Sequence, residues 1–565
     1  MGIAKTIQEV LMKKLFPISL AVFLLLFAST PLTAVAQTTS RATAMEIHSS
    51  VKNDTSQTLQ SLKPSLSKIR LPLERRVYPP PQLNPKRLSP KFRQPTTDSA
   101  LQLEGGPVVP VTVIASVDGL GRGVPDSNGE PMSITSLPPD TNGSVGETQF
   151  VQTVNAYFAV FDKKDLLKSG TKSTSPVRPI FGWTPINVIW RGFGGKCEEN
   201  NDGDPVVAYD KIAKRWVITQ LSYTGGGYSE CMAVSTTSDA TGAYYRYEFD
   251  QPSLNDYPKL GVWPDAYYIT YNMFDGPEGA RICAYERAQM LTGKPAREIA
   301  VQLSDWFWSL LPSDFDGPPD QEHLPTPGSP CYFLSLGSSK NSLDFWKFHV
   351  DWADPTKSKF GDGNGGPDQV INVAPFADAP SRCPAIPQLG TAQKLDTLGE
   401  RLLYRLAYRR FAGHESLVTN HSIQARGIAA PRWYEIRDPG NVPVVTQQGT
   451  FSPDSTSRWI GSIAMDGRGS IGLGYSASSK RIHPGVRVAA QQFGGPSGRL
   501  GTEQVILASS SSQEGDGAER WGDYSSMIID PVDDTTFWFT TEYLAASQNS
   551  SFNWSTRIVA FKVGK

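Results

Sequence analysis

Two carboxylates near the C-terminus, Asp523 and Glu542, form the best-placed pair for acid–base chemistry in this sequence. Asp523 follows Arg520-Trp521-Gly522 at the head of one apolar run, and Glu542 stands near the end of the next, Thr536–Tyr543. Antiparallel neighbours would bring both to one edge of a sheet. Glycoside hydrolysis needs two carboxyl groups flanking the scissile bond, one of them protonated as the acid. Asp204 and Asp256 are substitutes for the pair. A second chemistry uses a tyrosine nucleophile backed by a carboxylate, with arginines clamping a substrate carboxylate bidentately. Tyr257 or Tyr524 beside Arg458 and Arg520 would supply those groups.

Metal-ligand patterns are weaker. Asp362-Gly-Asn364-Gly-Gly366 with Asp368, and Asn200-Asn-Asp202-Gly-Asp204, are oxygen-rich runs that would suit calcium, with Asp362 and Asn364 foremost. Neither reaches the distal Glu of an EF-hand, so an ordinary Asx/Gly turn is the favoured reading. His414-Glu415 with His421 lacks the one-turn helical spacing of a zinc protease and lies in strand-like sequence. No Walker loop, dinucleotide fingerprint or G-x-S-x-G elbow stands in a strand-to-helix context.

The elements that would position these groups are strands. Gly 50 and Pro 44 in 565 residues, with only 19% charged residues against a typical ~25%, describe a turn-rich chain. From Asp204 onward, four β-branched or aromatic runs follow one another as in a meander. The pattern recurs: a small-residue run ending in Asp, as at Asp210, Asp466 and Asp530, turns into an aromatic run. Units beginning near Pro138, Gly203, Asp256, His323, Asp396, Arg458 and Arg520 predict an all-β, seven-bladed β-propeller over 105–565. The last unit has room for three strands, and Val108–Ala115 is the natural fourth, closing the ring. Leu395–Leu406 is read as a strand and Ser304–Ser329 as a loop insertion.

In such a ring the first strands begin, and the second strands end, on one face around the channel. Those positions collect Asp140, Asp204, Asp256, Tyr257, Arg401, Arg458, Trp459, Arg520, Trp521 and Asp523, together with Asn155, Tyr223, Asn272, His421 and Glu542. Arginines pair carboxylates and aromatic rings cover apolar sugar faces, so a glycan or sugar acid is the expected ligand. The competing assignment gives the same Asp and Arg residues to contacts between blades.

Lys13-Lys14, the apolar run Leu15–Phe27 and Ala34-Val35-Ala36 read as a signal peptide over 1–36, so the mature chain is expected to be secreted, periplasmic or on the cell surface, with no membrane span after cleavage. Residues 37–104, Ser/Thr/Pro/Lys-rich, are expected to be a disordered linker. Export makes Cys197, Cys231, Cys283, Cys331 and Cys383 disulfide candidates, one left over. A net charge of -1 disfavours nucleic acid as a partner, and a monomer is expected.

The phrases Asp204–Asp210, Asp256–Asp265 and Arg520–Ser526 resemble those of a large group of exported bacterial β-propeller proteins with no settled activity. Thr237–Tyr244 resembles the Asp-box of sialidase-like propellers, which sits at the turn between a blade's third and fourth strands. Such boxes are structural, so this resemblance implies fold rather than chemistry. No motif certifies an acid–base pair. A binder of an extracellular glycan or cell-surface polymer is therefore the leading expectation, with a secreted carbohydrate-active enzyme, a sialidase-like glycoside hydrolase or lyase, as the alternative.

Overall fold

The computed structural model describes residues 45–66, 76–77, 97–122, 124–126, 128–132, 134–171, 176–223, 226–380, 385–515, 519–545 and 553–564. The expected signal peptide and Cys383 lie outside them. The chain is mostly β with few helices, and among the described residues no helix is long and apolar enough to cross a membrane.

Strands follow one another in antiparallel meanders. The first runs from Asn142–Val145 to Phe181–Pro185, the second from Val206–Asp210 to Tyr244–Gln251, and the third from Leu254–Val262 to Arg297–Gln302. The fourth starts at Leu311–Phe315, the fifth runs from Leu403–Phe411 to Val444–Phe451, and the sixth from Ser457–Met465 to Gln504–Leu507. Ser526–Ile529, Thr536–Leu544 and Trp554–Val563 make the seventh, and Val111–Gly121 pairs antiparallel with Trp554–Val563 as its outer strand. That strand lies a few residues beyond the expected Val108–Ala115. First strands of successive meanders touch, and Ser526–Ile529 of the seventh touches Asn142–Val145 of the first.

Middle strands such as Tyr267–Phe274 are buried along their whole length, because each sheet packs a neighbour on either face. That explains their continuous apolar and aromatic runs, where a half-exposed sheet would alternate. The aspartates closing many first strands hold the next turn. Asp466 Oδ1 accepts the Arg468 and Ser470 amides at 2.9 and 2.8 Å, and Asp210 and Asp530 accept those of Ala213 and Val532, each at 2.9 Å.

Three expectations need correction. Leu311–Phe315, inside the segment read as a loop insertion, is a first strand pairing parallel with Leu403–Phe411 over three residues. Its single Pro and paired aspartates disguise it. Leu395–Leu402 is loop, touching Ile386 through one bridge, and the strand begins only at Leu403. The linker expected over 37–104 contains strands in its described parts: Glu46–Ser49 and Lys52–Thr55 extend the third and second meanders, and Leu101–Gln102 joins the fifth. Backbone pairing and the ion pairs Glu46–Arg281 and Asp54–Arg246, at 2.7 and 2.6 Å, hold the first two, and a reading based on apolar content does not register such contacts.

A buried ion network ties first strands together deep between the meanders. Arg405 bridges Asp314 at 2.6 Å and Asp316 at 2.7 Å. Lys211 reaches Asp316 at 2.5 Å and the Ile529 carbonyl at 2.8 Å, while Arg409 meets Asp534 at 2.7 Å and the Asp316 carbonyl at 2.6 Å. Arg405 and Arg409, four residues apart on one strand, share a face because side chains alternate.

Cys197 and Cys231 form a disulfide that fastens a short helix to the second meander, consistent with an oxidising compartment. Cys283 and Cys331 are buried thiols.

Between the second and third meanders Glu230 is fully buried and accepts a bond from Asn255 Nδ2 at 3.0 Å. Burial pushes its carboxyl up to about 8. Folding therefore favours the protonated form, so the stability it contributes is full below its unfolded value and is lost as pH rises from about 4.5 towards 8. Replacing it by the neutral isostere, Glu230→Gln, should flatten that slope. Urea unfolding should show wild type losing on the order of 2–4 kcal/mol against the variant between pH 5 and 8. Parallel pH profiles would contradict this.

Candidate functional site

The starts of the first strands carry a recurring backbone feature. Asp140, Asp204, Tyr257 and Ile460 adopt left-handed φ values of 44°, 47°, 59° and 46°. Non-glycine residues in that region cost of order 1 kcal/mol or more and persist where surrounding bonds over-determine them. Here they do. Asp140 Oδ1 accepts the Asp523 amide at 2.6 Å, and its other oxygen accepts Asn155 Nδ2. Asn155 Oδ1 in turn accepts the Asp204 amide at 2.8 Å. Asp204 Oδ2 accepts the Tyr257 amide at 3.3 Å and the Tyr524 hydroxyl at 3.1 Å.

Arg520 is the cation of the seventh meander's edge. It donates to Asp396 at 2.5 Å and to Asp523 at 2.7 Å, while the Trp521 amide donates to Asp396 at 3.1 Å and the Gly522 amide to Glu542 at 2.8 Å. Tyr257 and Tyr524 stack with centroids 5.3 Å apart. Lys259 Nζ lies 3.1 Å from the first ring and 4.0 Å from the second, donating to the Pro258 carbonyl at 3.0 Å. Arg401 pairs with Glu400 and lies 4.7 Å from the Tyr257 ring. Loops of the first, second, third, fifth and seventh meanders thus converge on one polar cluster.

Its carboxyl groups outnumber its cations, and burial makes ionisation costly. Burial, reinforced by Asp523, raises Asp204 to about 6. Burial with Asp204 and Asp523 raises Asp256 to about 7, and burial outweighs Arg520 to leave Asp396 at about 6. Asp140 and Glu542 are raised well above the usual carboxylate range, again mainly by burial. Lys259 is held well below the usual lysine range by burial, with the nearby aspartates opposing. Carboxyl groups poised near neutrality both donate and accept hydrogen bonds, which suits hydroxyl-bearing ligands. Asp256 is half-buried, and the Asp396 side chain keeps 13% of its surface exposed. Near Asp204, Tyr223 is 38% exposed, and its amide donates to Asp202 at 2.8 Å.

Of the residues expected to act together, Asp523, Glu542, Tyr257, Arg520, Asp204 and Asp256 meet here. The others are engaged differently. Arg458 is buried and grips Glu503 through two nitrogens at 2.8 Å each, with Asp454 at 3.0 Å, all within its own meander and the loop before it. Trp459 and Trp521 pack against each other at 5.5 Å with no exposed face, so they are core rings rather than sugar platforms. His421 is buried, bonded to the Tyr434 hydroxyl at 2.9 Å and edge-on to Phe376. Asp362 Oδ1 accepts the amides of Asn364 and Gly366 at 2.7 and 3.0 Å, an Asx turn. Among the described residues no cluster of three or more His, Cys, Asp or Glu groups could hold a metal. Sequence reading missed Lys259, Asp396 and Glu400 as members of the site. A lysine inside the apolar run Tyr257–Val262 was the available signal for the first.

No protein-family model matches the chain, and no curated protein sequence matches it. Solved structures of β-propeller proteins show a distant likeness. The N-terminal domain of Nup159 aligns at a TM-score of 0.34 and 9% identity, over 82% of this chain and 100% of that one. A polysaccharide lyase of family PL25, an ulvan lyase bound to a GlcA–Rha3S unit, aligns at 0.33 and 11%, over 80% and 95%. An exo-β-1,3-galactanase from Clostridium thermocellum aligns at 0.28 and 10%, over 80% and 99%.

Proposed function

We propose that the meanders are the seven blades of a β-propeller closed by Val111–Gly121, and that the protein is an exported, monomeric binder of a hydroxyl-rich ligand, an extracellular glycan, at the face where the first strands begin. The successive contacts between first strands support the ring. The observation that carries the binding assignment is Asp256, half-buried and raised to about 7 in a cluster where Asp523 is already held by Arg520, Asp204 by Tyr524 and Arg401 by Glu400. A preorganised polar rim of this kind orients a ligand without reorganising.

The test is calorimetric titration with a saccharide chosen on a glycan array. Asp256→Asn should weaken binding at pH 7 by about 1–2 kcal/mol, roughly ten-fold, without lowering the melting temperature, since removing a carboxyl raised towards 7 does not destabilise the fold at that pH. Unaltered affinity would reject the assignment.

One observation favours the enzymatic alternative. A half-buried carboxyl near 7, in the electrostatic reach of Asp523 and Asp204, has the protonation expected of a general acid at neutral pH. In that reading Asp523, Glu542 and Tyr257 supply the remaining catalytic groups. Mass spectrometry of saccharides incubated with the protein separates the two readings. Product formed by wild type and lost in Asp256→Asn and Asp523→Asn would make it an enzyme.

A further inference from the structure

The charges where the first strands begin do not balance, because every cation in the cluster is committed and several carboxyl groups are left over. Arg520 donates to Asp396 at 2.5 Å and to Asp523 at 2.7 Å, and Arg401 pairs with Glu400. Lys259 is the remaining cation. Its Nζ donates to the Tyr257 and Pro258 carbonyls at 3.3 and 3.0 Å and lies against the two stacked tyrosine rings, so its hydrogen bonds go to carbonyls rather than carboxylates.

Asp140, Asp204 and Asp256, from the first, second and third meanders, form no ion pair among the described residues. Neutral groups hold the first two: Asp140 takes the Asp523 amide and Asn155 Nδ2, and Asp204 takes the Tyr257 amide and the Tyr524 hydroxyl. Asp256 is the half-buried member. A separate observation marks an open place for a donor. Glu542, 1% exposed, gives Oε2 to the Gly522 amide at 2.8 Å, while its Oε1 is buried with no partner among the described residues. Buried polar atoms are normally satisfied, so an unmatched oxygen at a proposed binding face calls for a donor from the ligand. Burial and mutual repulsion hold these carboxyl groups above their usual range, and an incoming positive charge relieves both. A neutral sugar brings donors without that charge.

Resting on the glycan reading above, we propose that the ligand is an amino sugar: its ammonium group supplies the positive charge that Asp204 and Asp256 lack, and Glu542 Oε1 accepts a further hydrogen bond from it. An ammonium is compact, carries three donors and is thereby suited to carboxyl groups that converge from separate strands.

Calorimetric titration of the full chain with the β-1,4-linked glucosamine trisaccharide, its N-acetylated form, cellotriose and cadaverine tests the assignment. The glucosamine trisaccharide should bind at least about ten-fold more tightly than each of the other three, and Asp256→Asn should erase that preference. Raising the salt concentration should weaken the glucosamine trisaccharide several-fold and leave cellotriose unaffected, a readout on wild type that holds should the variant disturb folding. Equal affinity for the three saccharides, with an equal loss in Asp256→Asn, would overturn the amino-sugar assignment and leave the glycan reading standing. Cadaverine binding as tightly as the glucosamine trisaccharide would overturn it in favour of a plain amine. A preference for the amino form that survives in folded Asp256→Asn, or that salt does not weaken, would overturn it as well. So would absence of binding by the glucosamine trisaccharide, and the array-selected saccharide then decides the glycan reading separately.

Discussion

Replacing Arg405 by alanine is expected to lower the free energy of unfolding by about 3–5 kcal/mol. The guanidinium is almost wholly buried, bridges Asp314 and Asp316, and donates to the Met527 carbonyl at 3.2 Å. Removing it takes the ion-pair partner from the buried Asp314 and leaves Asp316 with Lys211, 2.5 Å away. Cost arises chiefly from that uncompensated charge rather than from the lost attraction, so a variant that also neutralises Asp314 and keeps the Lys211–Asp316 pair, Arg405→Met with Asp314→Asn, should recover part of the loss. Urea unfolding of the three proteins checks this. A loss under about 1 kcal/mol for Arg405→Ala would mean that the network does not join the first strands as described.

The second large effect concerns the strand that precedes the first meander. Deleting 105–121 should remove the partner of Trp554–Val563 and the burial of Val111, Ala115, Val117 and Leu120. At about 1–2 kcal/mol for each of the larger side chains, with the Arg557–Asp118 pair lost as well, several kcal/mol disappear. The uncovered strand would present a ten-residue row of unpaired amides and carbonyls, a template for association between chains. The expected result is a lower melting temperature together with aggregation by light scattering. Val117→Asp, which keeps the backbone but places a charge in the core, should destabilise without aggregation in the folded state. A truncated protein that stays monomeric and unfolds as wild type does would contradict the closure.

Much of the fold was legible because its signals are local. Strand runs punctuated by turns are visible in Arg215–Ser222 and Thr536–Leu544, and the aspartates at first-strand ends announce the turns they hold. Leu311–Phe315 was hidden because Asp314 within it and Asp316 just after it serve Arg405, a partner some ninety residues away. The outer strands at 46–55 were hidden for the same reason: their partners are backbone groups and arginines of distant meanders. At the site, residues at first-strand starts and second-strand ends can be gathered from topology alone, which is why Asp204, Asp256, Tyr257, Arg520, Asp523 and Glu542 stand together. Arg458 occupies a comparable start, yet Glu503, 45 residues later in an irregular loop, claims its guanidinium. Position in a repeat places a backbone atom, whereas the direction of a long side chain depends on the loops around it.

The central claim is that a saccharide sits where the first strands begin, and hydrogen–deuterium exchange with and without the array-selected glycan tests it most directly. Added glycan should slow exchange in peptides covering 200–204, 222–223, 255–260, 396–401 and 519–524 and leave the rest of the described chain unchanged. Protection confined to other segments, or none at saturating glycan, would contradict the claim.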